Sequence, residues 1–304
     1  MKFWIAFHLL VAFCLAIDLL VLNKKAHVVS MKEAAWTTAG WVALALFFNA
    51  TVFVRHGPAE GLEFLAAYLM EYSLSIDNLF VFYLLFRHFG IQREDEHGLL
   101  FWGILAAVLM RAFFIGLGVG LVSYFEFLFY IFGGFLVWSG IAMFRSHGHE
   151  AEEEEEAKIV RYLRRVIPIA PPGAPGYLTR HDGRWMATVP GFALVAINVT
   201  DVLFAVDSIP AVLGITRSFF IAYTSNIFAI LGLRSLYFLL AGMIGKFQRL
   251  HYGLSFVLVF IGAKMILATA HLLHISILVS LGVIVFSVGG CVAWDLLTPE
   301  KKIG

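Results

Sequence analysis

The chain has 304 residues, 61% of them hydrophobic and 14% charged, with a formal net charge of +1 and a mean hydropathy of +0.86. A soluble domain with that surface would aggregate, and the apolar runs are too long and continuous for an outer-membrane barrel. The expected fold is an all-α polytopic membrane protein. The near-zero charge says nothing specific about partners beyond the lipid bilayer itself, and no nucleic acid is expected.

Nine apolar segments are long enough to cross, at about 20 residues per crossing. They run over 2–22, 34–54, 61–86, 98–118, 124–144, 188–213, 219–242, 253–273 and 276–296. The first follows Lys2, contains Asp18 and lacks a small-x-small cleavage signal, so it reads as a retained span. Cys14 and Cys291 fall in the first and last segments and read as membrane-core thiols, not a redox pair. The third segment carries Glu71-Tyr72-Ser73-Leu74-Ser75-Ile76-Asp77-Asn78, preceded by Met70, which reads as a core side chain. Residues 145–187 are the one long polar stretch. Glu150 and Glu152 to Glu156 read as a solvated, partly disordered loop, with a weak cation-attracting or regulatory element as the sharper alternative. Arg161-Tyr162-Leu163-Arg164-Arg165 is suited to an anionic inner leaflet, and turn residues follow from Pro168 to Gly176. The sixth segment carries Asp201-Val202-Leu203-Phe204-Ala205-Val206-Asp207-Ser208. His271 and His274 near the end of the eighth, and His147 and His149 in the polar stretch, are weaker metal candidates.

The two acidic segments match each other. A shift of 130 aligns Glu71 with Asp201, Asp77 with Asp207 and Arg87 with Arg217. A shift of 123 aligns Ile104, Ala106 and Arg111 with Ile227, Ala229 and Arg234. A shift of 122 aligns Tyr130, Gly140 and Met143 with Tyr252, Gly262 and Met265. The repeat unit is therefore three segments, and an odd number of crossings inverts the second copy: a 3+3 inverted-repeat core. The expected organisation is two N-terminal helices (1–59), the first repeat (60–145), a cytoplasmic acidic and basic loop (146–187), the inverted second repeat (188–274) and a C-terminal helix with its tail (275–304). Sixteen basic residues fall on one side against Lys2, Arg55 and Arg217 on the other. The amino terminus is thus expected outside and the carboxyl terminus in the cytoplasm of a cell inner membrane.

A carboxylate in hydrocarbon is costly, so four of them in two copies of one pattern point to an ion or proton task. On an unbroken helix the two acids of each motif point about 120° apart and sit roughly 9 Å apart along the axis. Position i+7 shares a face, which pairs Glu71 with Asn78 and Asp201 with Ser208. Either facing helices contribute one carboxylate each, or the sixth segment breaks near Pro210 so that its own acids converge. The ligand candidates are Glu71, Asp77, Asn78, Asn198, Asp201, Asp207, Ser208 and Asn226, with Ser73, Ser75 and Thr200 as further oxygen donors. Such donors suit Mn²⁺, Ca²⁺ or Mg²⁺ rather than Zn²⁺ or Cu⁺. Arg111, Arg234 and Lys264 are the in-span charge partners. No P-loop, dinucleotide fingerprint, G-x-S-x-G or H-E-x-x-H is present. No enzyme activity and no resident cofactor are expected.

These motifs carry a resemblance. Met31-Lys32-Glu33-Ala34-Ala35-Trp36, the Glu71 motif, Asp201 to Ala211 and Thr224 to Arg234 resemble the TerC family of integral membrane proteins, nearest its Alx-like branch. The family is associated with manganese efflux and tellurium resistance. The resemblance implies that Glu71, Asp77, Asp201 and Asp207 line a metal route, with Asn78 and Asn226 nearby. Two positions depart from the family pattern: Asn198 stands where a Glu is common, and Tyr72 where a Lys is. The expected function is export of a divalent metal, Mn²⁺ first, by alternating access against protons or Na⁺. The alternatives are a membrane scaffold or insertion factor acting on membrane-protein partners, or a tellurite-stress protein without transport activity of its own.

Overall fold

Capping chemistry sets where the helices begin and end. Ser30 accepts a 3.2 Å hydrogen bond from the Glu33 N–H and starts α2 (Met31–His56). Gly57, at φ +99°, takes a backbone that side chains resist, so the chain turns directly into α3 (Pro58–Phe89), with proline in its first turn. Thr188 caps α7 (Val189–Leu213) on the Gly191 N–H, and Ser218 caps α8 (Phe219–Leu231) on the Ile221 N–H. The remaining elements are α1 (Lys2–Leu20), α4 (Arg93–Tyr124), α5 (Leu128–Arg145), α6 (His149–Val166), β1 (Leu178–His181), β2 (Arg184–Ala187), α9 (Leu233–Ala241), α10 (Leu250–Thr269) and α11 (Ile277–Leu297).

The computed structural model describes residues 2–20, 30–145, 149–171, 173–181, 183–242 and 249–297. Lys24, Lys25, His147, Lys246, Lys301 and Lys302 lie outside the described residues, as do the side chains of Asp18, Arg93, His149, Glu150 and Glu152 to Glu156.

The chain is an all-α polytopic membrane protein. Seven helices (α2, α3, α4, α5, α7, α10 and α11) are long and apolar enough to cross, and α8 with α9 makes an eighth if the bent pair is one span. The apolar part of α1, Trp4–Ile17, is shorter. Helices satisfy their own backbone groups, which is why lipid admits them. Exposed Phe47, Phe113, Trp138 and Phe286 face outward, as a lipid-facing surface should. The most enclosed spanning helix is α3, packed by α2, α7, α8 and α9; α11 is the most exposed. The longest side-by-side packing is α5 on α10. A Cβ on Gly262 would come within 2.6 Å of the Gly133 carbonyl, and one on Gly140 within 2.7 Å of the Ser255 carbonyl. Small residues therefore bring two backbones together without a side-chain layer between them.

One end of the bundle gathers the Gly57 turn, residues 125–127, residues 214–218 and the α10–α11 connection. Arg217 and Glu126 lie 3.9 Å apart there. The other end gathers the Gly90 turn, α6, the β-hairpin, the end of α9 and the start of α10. Asp295, near the end of α11, is buried there and accepts from the Arg249 backbone N–H (3.0 Å) and guanidinium (2.9 Å). Aromatic contacts of Trp4 and Phe7 with Tyr223 and Phe228 seat α1 on α8, and His8 Nε2 lies 3.1 Å from the Tyr223 hydroxyl.

Three expectations are corrected. The Glu152 to Glu156 run, expected as a solvated, partly disordered loop, lies in the helix α6. Ile159, Val160 and Leu163 form a buried stripe that holds α6 against α3 and α7, and the hairpin pairs Leu178 with Ala187 through His181 with Arg184. The sixth segment does not break near Pro210. That proline lies in the last turn of α7, where losing one donor costs little continuity, and its carbonyl still accepts from Gly214. The break falls in the seventh segment, bent 45° at Gly232. Finally, His271 and His274 share no helical face, because α10 stops at Thr269 and His271 is left-handed at φ 55°.

Candidate functional site

Of the two arrangements open to the carboxylates, the facing helices supply one each. Glu71 of α3 and Asp201 of α7 meet on Arg111 of α4. The Arg111 guanidinium forms an ion pair with Glu71 Oε1 and lies 3.2 Å from Asp201 Oδ1. Glu71 and Arg111 are 0% exposed and Asp201 is 4% exposed, so two carboxylates and one guanidinium leave a net charge of −1 in the core. A buried charge of this kind is stable only while its partners stay in place.

The chain direction arranges the other acids. From Glu71, α3 runs toward the Gly90 end; from Asp201, α7 runs toward the Gly57 end. Asp77 and Asp207 each lie six residues further along their own helix, about 9 Å from the trio in opposite directions. Both are half-buried and both have partners of their own. The four acids thus form a ladder along the bundle: Asp77, then the Glu71–Arg111–Asp201 level, then Asp207.

Local hydrogen bonding decides which neutral donors are available. Ser73 and Thr200 donate to the carbonyls of Leu69 (2.6 Å) and Ala196 (2.8 Å) one turn back, so their hydrogens are already engaged. Asn198 donates its amide to the Leu194 carbonyl at 2.7 Å. By contrast, the hydroxyls of Ser75 and Ser208, both ends of the Asn226 amide, Asn198 Oδ1, Glu71 Oε2 and Asp201 Oδ2 are buried with no hydrogen-bond partner among the described residues. Such groups are costly unless water or an ion meets them. Asn78 is buried one turn beyond Ser75.

The other charge partners separate. Arg234, which the shift of 123 aligns with Arg111, is buried two residues past the Gly232 break and has partners of its own. The fit there is tight: a Cβ on Gly232 would lie 3.2 Å from that of Trp41 on α2. Lys264 donates to Ser280 of α11 at 2.9 Å and makes no ion pair with the trio. Met70 is fully buried core. Cys14 and Cys291 are free thiols on different helices. No group of three or more His, Cys, Asp or Glu side chains converges to hold a metal among the described residues. The carboxylates are therefore spaced as steps, not gathered as a cage.

Sequence reasoning passed over Glu63, Thr216 and the Arg249–Asp295 pair. The shift of 130 that aligns Glu71 with Asp201 lands Glu63 on Ala193, so the sequence alignment gave it no emphasis. The signal that could have found it is its spacing, two turns before Glu71 on the same span.

The integral membrane protein TerC family matches residues 56–302. An uncharacterized membrane protein of Myxococcus xanthus is 47% identical over 263 residues, covering 86% of this chain and 82% of its own. The Escherichia coli K12 protein named "Putative membrane-bound redox modulator Alx" is 40% identical over 291 residues, covering 92% of this chain and 90% of its own. A membrane protein of Rickettsia felis is 32% identical over 288 residues, covering 94% and 95%. No solved structure matches.

Proposed function

Because the chain belongs to the TerC family of integral membrane proteins, we propose that it is a secondary transporter that exports a divalent cation, Mn²⁺ first, across the bacterial inner membrane. The observation that carries this reading is the buried trio: two carboxylates from two halves of the chain on one guanidinium, with Glu71 Oε2 and Asp201 Oδ2 making no hydrogen bond among the described residues. A cation approaching Glu71 Oε2 and Asp201 Oδ2 finds hard oxygen ligands and an electrostatic competitor in Arg111. Asp77 and Asp207 extend the acidic route about 9 Å toward each end. Ca²⁺ and Mg²⁺ are the alternative cargoes, and a proton or Na⁺ is the counter-ion. The excess of basic residues supports an orientation with the Gly90 end and the carboxyl terminus in the cytoplasm and the Gly57 end outside.

The inverted repeat is part of the proposal. Exchanging the repeats maps α3 onto α7, α4 onto α8–α9 and α5 onto α10. The observed packing of α3 on α8 and of α4 on α7 is preserved by that exchange. The glycine contacts are preserved too: with the shift of 122, Gly140 against Ser255 becomes Gly262 against Gly133. The bend at Gly232 supplies the discontinuous helix that such transporters place near their site.

The test is ion flux into inside-out proteoliposomes, comparing Mn²⁺, Ca²⁺ and Mg²⁺ with and without a pH gradient. Mn²⁺ uptake is expected in the wild type and lost in Asp77→Asn, Asp201→Asn and Asp207→Asn at unchanged protein levels. Folded, correctly oriented protein that moves none of the ions would replace transport with the scaffold or insertion-factor reading.

A further inference from the structure

Glu63 stands on α3 eight residues before Glu71, about 12 Å nearer the Gly57 end and close to the level of Asp207. It is half-buried. Its Oε2 accepts a 2.6 Å hydrogen bond from Thr216, a buried hydroxyl in the turn joining α7 to α8. Thr216 Oγ1 also accepts from the Ser218 N–H at 3.1 Å, and Ser218 caps α8. The carboxylate is therefore held against a fixed turn of the second repeat. Across from it, Lys264 of α10 donates to the fully buried Ser280 of α11, whose hydroxyl also lies 3.3 Å from the Ser276 carbonyl.

Glu63 and Lys264 face one end of the bundle, where α3 packs on α10 and α11, yet they make no direct ion pair among the described residues. Each charge rests on a hydroxyl instead. A pair serving only to tie α3 to α10 would close to contact, because contact is where Coulomb attraction and hydrogen bonding both peak. Here one carboxylate oxygen of Glu63 is left over, and a flexible four-carbon stem carries the opposing charge.

We propose that Glu63 and Thr216 form a further cation seat at the Gly57 end, the last step of the acid ladder, and that the Lys264 ammonium is its resident counter-charge, which a divalent cation displaces. The outward direction rests on the transport reading; the existence of the seat does not. One carboxylate, one hydroxyl and water are hard donors for the same class of cation. They bind it weakly enough to let it go, as an exit step requires. Lys264 returning to Glu63 expels the ion and closes the seat.

The test counts Mn²⁺ bound by purified full-length protein in nanodiscs, from the loss of the free-ion paramagnetic resonance signal. Lys264→Met is expected to gain a Mn²⁺ site over wild type, or to tighten one at least about tenfold, because a like charge has been removed from beside it. The gain disappears in Lys264→Met/Glu63→Gln and persists in Lys264→Met/Asp201→Asn. A Lys264→Met curve superimposing on wild type, or a gain that survives Glu63→Gln, overturns the proposal. A second measurement needs no variant. Saturating Mn²⁺ should raise acylation of Lys264 by a membrane-impermeant reagent several-fold, read by peptide mass; unchanged or reduced labelling overturns the proposal equally. Wild-type protein that binds in this way but carries no Mn²⁺ flux would defeat the transport reading and leave the seat standing.

Discussion

Replacing Arg111 by methionine removes the one cation that Glu71 and Asp201 share while keeping most of the side-chain volume. The trio then passes from −1 to −2, with both carboxylates buried and without their ion-pair partner. Breaking one buried pair costs about 3–5 kcal/mol, and two pairs are broken here, so the top of that range is expected. Asp201→Asn takes the trio to zero and leaves the Glu71–Arg111 pair, so its cost should stay near about 1 kcal/mol. The combined variant Glu71→Leu/Arg111→Met/Asp201→Leu carries no charge at the site and should melt at or above the wild-type temperature, since apolar replacement of a buried ion network is neutral or stabilising. The assay is thermal unfolding of each purified variant in one detergent, with insertion checked by membrane fractionation. The expected order is Arg111→Met far below Asp201→Asn, with the apolar triple variant no lower than wild type. Arg111→Met melting with the wild type, or the triple variant melting with Arg111→Met, would refute the charge accounting. Loss of ion flux in Asp201→Asn at near-normal stability would separate the role of the acid in transport from its role in folding.

Gly262→Val should prevent α5 and α10 from closing and cost more than about 3 kcal/mol, whereas Gly282→Ala, which meets nothing within 4 Å, should be silent; melting of the two variants compares them. Asp295→Ala removes the carboxylate that holds the Arg249 backbone N–H and guanidinium, and should lower stability by about 2–4 kcal/mol with insertion intact, read by the same melt and by exposure of the Gly90 end to protease. Burial, and then the nearby Asp95 carboxylate, push the Tyr177 phenol above its usual range. Its contribution is therefore fully present below about pH 10 and lost as pH rises through the raised value. Proteolysis of residues 167–187 should increase at strongly alkaline pH in the wild type and less so in Tyr177→Phe. Equal alkaline loss in both would show that another group governs that end.

The helices were legible because roughly twenty apolar residues have few other ways to exist, and the acids because hydrocarbon makes each of them conspicuous. The repeat made Arg111 and Arg234 visible as counterparts, and Arg111 sits on two of the motif acids. The bend at Gly232 was not legible, since a glycine inside an apolar run looks the same whether it packs Trp41 or ends a helix. Pro210 drew the attention instead, although its place in a final turn makes it nearly harmless. The polar stretch was read from composition, and the Glu run outweighed the Ile159-Val160-Leu163 stripe that folds it as α6. Lys264 was matched to the motif acids by charge alone; its contact with Ser280 depends on how α10 and α11 lie together, which no local pattern records.

The glycine seam between α5 and α10 also bears on how the protein is made. Gly140 meets Ser255 and Gly133 meets Gly262, 115 (255 − 140) and 129 (262 − 133) residues further on, so this tight helix pair is also a distant one along the chain. At about 5–20 residues per second, α5 waits roughly 6–25 s after synthesis before its partner emerges. Throughout that interval a small-residue groove stands open in the bilayer, shaped to accept another helix. Another helix that enters that groove before α10 arrives would compete with the native pairing.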